Sequence, residues 1–569
     1  MGSEVQQSLW AFVSSAAALV GFSLCLIVVA AAQSKDVTSQ SALGQISGHV
    51  YRSDTGEPIP KAQVGLWAAD EATAQAAGGQ RIVRTSADGT FVFFDLPAGT
   101  YQIGGWRNGF TEFSWPQNEE QAERLHREMS VSLKPGQKLE NLALRLHPAG
   151  VIAGRITDEE REPVSGVEVY VLFAKFVRGG RRQINAMGRA VTDDLGNFRV
   201  ANLPPGPYYV RAGGLITQET RHMQTFGLKE DPAGGMRYHN TYYPGTSSLD
   251  EAQVLHVTPE GTNDIQFTVA TERTYTIAGK VLGKSALERA EEVRYIARDS
   301  EGYMFSVDDG SAEVAPDGSF KTSPLPPGDY TLSADVNRQG VETELGYASV
   351  RIVDSNEHAD IQIGHAIEVH GKVEAPQGFP LQGTKIALET FGPGFYLLHE
   401  AAVDSSARFV IPNIPPGDDM FTLLESSQES AYVKKAVCNG RDYASSVFTL
   451  ALDTTLDCTV TLANDMGVVH GKVMNGENPA PRVVVVLIPE SKDLRRIPCY
   501  TLTSKTDAAG EYKISGVIPG DYLLFAVPPS PDNAHFAVDF AGSHRGSAER
   551  VELNTPGVQA INLKLTSLE

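Results

Sequence analysis

The chain has 569 residues, of which 41% are hydrophobic and 21% charged, with a formal net charge of −21. That length exceeds what one core organises and predicts about three to five domains. The acid surplus is spread along the chain, which argues against nonspecific nucleic-acid binding, since that needs a basic face. With 54 Gly, 32 Pro and no long low-complexity tract, the chain reads as folded and rich in turns.

The N-terminus comes first. Residues 9–32 carry no charge, and the run SAAALVGFSLCLIVVAAAQS is long enough for a hydrophobic membrane-spanning helix. It also ends in Ala30-Ala31-Ala32, a small-residue cleavage pattern, but the first ten residues hold no Lys or Arg. Two readings of residues 1–33 stay open: a signal peptide cut near Ala32, or an uncleaved N-terminal anchor. Both place the rest outside the cytoplasm (periplasm, cell surface or secreted), with membrane contact only through this segment.

From residue 44 onward one phrase recurs. It reads ADGTFVFFDLPAGTYQI, DLGNFRVANLPPGPYYV, PDGSFKTSPLPPGDYTL, SSARFVIPNIPPGDDMF and DAAGEYKISGVIPGDYLL. The turn glycine and the later glycine keep a fixed offset: Gly89/Gly99, Gly196/Gly206, Gly318/Gly328 and Gly510/Gly520. In the fourth copy Ala407 stands where the first glycine should be. A fixed internal offset marks a repeated structural unit. Glycine at the first turn accepts positive φ, and the aromatic two residues on (Phe91, Phe198, Phe320, Phe409, Tyr512) opens a strand that alternates toward a core. Proline then stops the ladder, which reads as a hairpin-like strand–turn–strand with Pro and Gly at its corner. Tyr101, Tyr208, Tyr330 and Tyr522 follow the corner and read as structural phenols. The fourth copy has Asp418-Asp419-Met420 there, which predicts a local bulge.

Each copy opens on a head strand (QISGHV, VIAGRI, TIAGKV, EVHGKV, VVHGKV) and closes on a tail such as NLALRLH or AINLKL. The head glycines Gly48, Gly154, Gly279, Gly371 and Gly471 predict a bulge or a close backbone approach. Each copy counts about six or seven strands in about 100 residues, the spacing of an antiparallel β-sandwich. The predicted fold class is therefore all-β: five tandem antiparallel β-sandwich modules (transthyretin-like or Ig-like) after an N-terminal hydrophobic helix. The modules span 44–148, 149–271 (with an insertion at 215–250), 272–365, 366–465 and 466–569. The joints between them are short and predict a semi-rigid rod. Module 1 also holds a polar segment, Gln117 to Met129, that reads as a short helix.

The pattern h-x-G-x-V … P-h-x-x-h-x-V … D-x-x-G-x-F … h-P-P-G-x-Y-x-h-x-A resembles the carboxypeptidase regulatory-like domain, a transthyretin-like (prealbumin-like) module of the carbohydrate-binding-like fold group. The resemblance covers most of 44–569, less closely in the third and fourth copies. It implies extracytoplasmic, noncatalytic modules of the bacterial secreted type. The carboxypeptidase catalytic domain is a separate α/β unit, and five β modules leave no room for it.

Candidate sites are few. No HExxH, nucleophile elbow or P-loop occurs, so no catalytic, metal or cofactor residues are assigned. His370 and His470 sit in different modules, and Asp193, Asp194 and Asn197 read as a capped turn because their spacing fails the calcium-loop pattern. Tyr242, Tyr243, Trp106 and Trp115 are the candidate ligand-binding aromatics, able to stack on a sugar or anchor a protein. Cys438 and Cys458 lie on two predicted strands of module 4. They read either as a disulfide or as two buried thiols, with Cys499 left over as a small apolar filler. The functional expectation is a noncatalytic extracytoplasmic binding and spacer protein whose partner is a glycan or an envelope protein. The alternative is a structural or assembly protein acting through protein–protein contacts, and an accessory-rich polysaccharide-acting enzyme is the third reading.

Overall fold

The computed structural model describes residues 42–566 except 113–129, 215–235, 284–290 and 299–308. Short stretches at 339–340, 366, 393–394, 415–417, 426–430, 445, 451–453, 531 and 554–556 are also excluded. The N-terminal apolar run, the Gln117–Met129 segment, Trp115 and the proline–glycine corner of the fourth copy thus lie outside the described residues. Among the described residues no helix is long and apolar enough to cross a membrane.

Five hydrophobic clusters follow one another along the chain. They run from Ile46 to Leu146, Ile152 to Val269, Ile277 to Ile363, Ile367 to Leu462, and Val469 to Leu563. Each cluster sits between two sheets of one repeated topology. In the first sheet the head strand is central. The first strand of the recurring phrase pairs with it antiparallel, and the tail strand lies parallel on its other side. In the second sheet the module's second strand lies between its third strand and the second phrase strand, all antiparallel. The parallel head–tail pair is the one departure from antiparallel order. It lets a module's chain enter and leave in the same direction, so one tail can feed the next head.

The expected hairpin is corrected by this topology. The two phrase strands belong to different sheets: Val92 pairs with Ser47, whereas Gly104 pairs with Gly65. The proline–glycine bend is a crossing between sheets. Proline cannot donate to a ladder across the bend, so the strands separate there. A tyrosine fixes the crossing instead. The Tyr101 hydroxyl donates to the Pro97 carbonyl at 2.7 Å, Tyr208 to Pro204 at 2.6 Å, Tyr330 to Pro326 at 2.9 Å and Tyr522 to Ile518 at 2.7 Å. All four rings are among the largest fully buried side chains, and each hydrogen bond adds about 1 kcal/mol net.

In the fourth copy Asp419 takes the tyrosine's place. It is buried directly across from Thr390, whose hydroxyl donates to it at 2.7 Å. Phe421 then packs in the core, and the strand keeps its register from Asp418 to Leu423, where a bulge was expected. The head glycines are explained by close approach. A Cβ at Gly48, Gly154, Gly279 or Gly471 would run into the tail-strand carbonyl of Leu142, Ile265, Ala359 or Ile561. Ala407 keeps the left-handed turn of the glycine it replaces, at φ 60°.

Cys438 and Cys458 face each other on neighbouring strands and are disulfide-bonded. Closing a loop of this length stabilises by about 3 kcal/mol in the chain-entropy account. Cys499, expected as a buried filler, is exposed and free.

Modules pack against one another, and not only in sequence order. Arg52 bridges to Glu260 at 2.9 Å, and the Gly109 N–H donates to Asn202 at 2.8 Å, joining modules 1 and 2. Tyr432, Ala463 and Ile518 form a small cluster between modules 4 and 5. Module 2 also reaches module 5: the Phe176 N–H donates to the Asp532 carbonyl at 2.7 Å, and Gly180 packs on Val538. The module 2 residues in these contacts lie at the tip of the hairpin formed by strands Glu168–Phe176 and Arg182–Val191, so the expected rod is joined by a contact between modules far apart in sequence.

Candidate functional site

Two surfaces carry chemistry. The first lies on module 2, beside the YYPGT segment. Its strand Met236–Tyr242 pairs with the second phrase strand, and the Tyr243-Pro244 peptide bond is cis. An open cleft of ≈ 650 Å³ lies between this turn and the Thr262–Thr268 strand, lined by Glu159, Arg161, His239, Thr246 and Gln266 among others. Beside it the Arg237 guanidinium pairs with Glu272 at 2.9 Å, and His239 lies 3.9 Å from the same carboxylate. The cleft mixes both charge signs in an open polar groove.

Tyr242 and Tyr243 are both half-buried against the sandwich. Tyr243 packs on the module 2 core with its ring edge-on to Phe267 at 5.9 Å, and Tyr242 packs on the cluster of Tyr170, Leu172 and Leu249. Both hold the insertion onto the sandwich. On that outer face Arg211 is buried over the Tyr170 ring at 5.3 Å, and the Tyr170 hydroxyl donates to Glu168 at 2.7 Å.

The second surface is the outer face of module 1's second sheet. Strands Gln63–Ala68 and Gly99–Trp106 pair so that Gly65 faces Gly104 and Trp67 faces Gln102. Val64, Leu66, Tyr101 and Ile103 point into the core, so alternation turns Gly65, Trp67, Gly104 and Trp106 outward. The two glycines leave a bare floor, and both indoles lie over it. A Cβ at Gly65 would stand 2.8 Å from the Trp106 ring and 2.9 Å from the Trp67 ring. The ring centroids are 6.2 Å apart with planes inclined by 34°.

Glu112 reaches the same floor, its Oε1 resting against Gly104. That oxygen is buried without a hydrogen-bond partner. Burial pushes the carboxyl up to about 7, with the Gly105 backbone N–H offsetting part of the shift. Trp106 was legible as a candidate, whereas Trp67 and Glu112 were not. The available signal was the pair of phrases QVGLW and QIGGW, each with glycine two residues before tryptophan.

Elsewhere the remaining candidates resolve as local structure. Asp193 accepts from the Leu195 and Asn197 backbone N–H groups at 3.0 and 2.7 Å, as a capped turn does. His370 meets Glu368 on its own strand at 3.1 Å. Among the described residues no group of His, Cys, Asp and Glu could hold a metal ion.

Solved structures similar to this chain match it at very low identity. A streptococcal ancillary pilin matches at 11% identity over 56% of this chain and 98% of its own, with a TM-score of 0.19. The Bacillus anthracis TIE protein matches at 12% over 76% and 75%, with a TM-score of 0.14. The shaft pilin SpaA from Lactobacillus rhamnosus GG matches at 8% over 40% and 97%, with a TM-score of 0.19. Scores this low say nothing of function. No curated protein matches the chain. The carboxypeptidase regulatory-like domain family matches residues 45–134 and 151–227, the stretches that carry the first two buried tyrosine corners. Residues 45–134 and 151–227 of this chain are thus similar to the carboxypeptidase regulatory-like domain.

Proposed function

We propose that this chain is a noncatalytic extracytoplasmic scaffold of five modules, with the boundaries read above, working through protein–protein contacts. The observation that carries this reading is the packing between modules. Module 1 is tied to module 2 by Arg52–Glu260, module 4 to module 5 by Tyr432 and Ile518, and module 2 to module 5 by Phe176–Asp532. Such junctions hold several surfaces at fixed spacing, which an assembly or spacer protein needs. The apolar run 9–32 and the Cys438–Cys458 bridge support an oxidising, extracytoplasmic location.

Photo-crosslinking groups placed at exposed positions of each module, in cells that make the protein, test the proposal. The expected result is a small, reproducible set of polypeptide partners at particular modules. Turnover of a polysaccharide or peptide by the purified chain would overturn it. So would an absence of polypeptide crosslinks from every module.

A further inference from the structure

The outer face of the second sheet is where this molecule attaches other segments. In module 5 that face is closed by the chain's own Phe540 and Ala541, packed on Val486 and Phe525. In module 2 it carries Leu249, from the insertion, and Ala252, just beyond it. In module 1 the same face presents two indoles over a glycine floor, and Glu112 is the described residue that reaches it.

We propose that Trp67, Trp106 and Glu112 form a binding site for a cationic side chain, a lysine or arginine of a partner protein, on the outer face of module 1. The inference rests on the scaffold reading and names the chemistry of one of its contacts. A pair of neighbouring indoles alone would suit a sugar ring or a cation, because both are held by an aromatic face. The carboxylate decides between them. Its Oε1 is buried and unpartnered, and among the described residues no lysine or arginine pairs with it. Above about pH 7, where the carboxyl is ionised, a sugar hydroxyl could supply a hydrogen bond but would leave the charge uncompensated. An ammonium or guanidinium group supplies both, and tryptophan is the ring that holds a cation best. Gly65 and Gly104 are what make the site. Any side chain there would lift the indoles off the sheet and displace the carboxylate.

The test uses the full chain. Three of its four tryptophans, Trp67, Trp106 and Trp115, lie within residues 44–148, so indole emission reports mainly on module 1. The probes are the Nα-acetyl methylamides of lysine and arginine, with the norleucine analogue as the neutral control, titrated at about pH 8 and low salt. A saturable emission change with the cationic probes only is expected. It should weaken with added salt and fall by about tenfold or more in Glu112→Gln. That variant removes the charge, keeps the shape and spares the fold a buried carboxylate. Trp106→Phe, which keeps a ring, should weaken binding by a smaller factor. No saturable change up to about 100 mM probe overturns the site, given the strength of such contacts. So does equal binding of the norleucine control or undiminished binding by Glu112→Gln. Binding of neutral cello- or chito-oligosaccharides that survives Glu112→Gln also overturns it, as a sugar platform. A crosslinker at Gln102 separates the two proposals. Capture of partners from other modules but not from Gln102 sinks this site alone. Capture from none sinks the scaffold reading, while the probe titration still judges the site.

Discussion

The outer faces of modules 1 and 5 start from the same pair of strands and end differently. In module 5 the strand Val484–Pro489 is buried along its whole length and on both sides. Val485 and Leu487 face the core, while Val484, Val486 and Ile488 lie under Phe540 and Ala541. In module 1 the equivalent strand reads QVGLWA, and its outward positions are Gln63, Gly65 and Trp67. One face has become a second core closed by its own chain, and the other a half-exposed aromatic surface with a buried carboxyl at its edge. A sandwich of constant topology thus carries a closed or a half-exposed outer face according to the outward-pointing residues of two strands.

The sharpest way to break this comparison is Phe540→Ala. It should open module 5's outer face and cost about 3–5 kcal/mol, the usual loss for a large buried ring. Hydrogen exchange should rise in Val484–Pro489 and Gly520–Val527 and leave module 1 unchanged.

Acidity should move the two modules in opposite directions. Glu112 is raised by burial to about 7, so the folded state holds its proton while the unfolded chain loses it near 4.5. Module 1 is therefore penalised increasingly from about pH 4.5 to 7, and is more stable at pH 5 than at pH 8. His535 in module 5 is held down to about 4 by burial, with Asp532 opposing and Arg178 of the module 2 hairpin adding to the shift. The unfolded chain takes up that proton near 6.5 and the folded one does not, so module 5 loses stability from about pH 6.5 down to 4. Each effect has an upper bound of about 3 kcal/mol. Hydrogen exchange resolved by module at pH 5 and pH 8 checks the signs, and Glu112→Gln should flatten the first trend only.

Gly65→Ala sharpens the comparison at the glycine floor. It should cost about 1–3 kcal/mol through overpacking against both indoles, and it should shift tryptophan emission. The smallest expected effect is in module 4, where Ala407 holds a turn that glycine occupies in the other four copies. Ala407→Gly should stabilise that module by roughly 0.5–1 kcal/mol, because relief of the left-handed strain slightly exceeds the entropy glycine adds to the unfolded chain. Thermal unfolding of the variant checks it.

Much of the fold was legible because its signals are local. The turn glycines, the alternating strands and the buried tyrosines each follow from backbone geometry within a few residues. The short helix Glu71–Ala77 was missed, although Asp70 caps it through Thr73 and Gly78 ends it in the left-handed region. A seven-residue helix offers too little apolar period to register. The run VVVVLI, buried on both sides, was read only as a second apolar strand, since sequence does not show what covers a strand's outer side.

The repeat, the buried corner tyrosines and the all-β class were readable from the chain alone, because those depend on residues close together in it. Only the tertiary structure decided that the phrase crosses between sheets, that head and tail strands run parallel, that module 2 touches module 5, and that Trp67, Trp106 and Glu112 meet. Each of these joins groups tens to hundreds of residues apart, and strand partners are chosen by packing across the core, a choice no local spacing records.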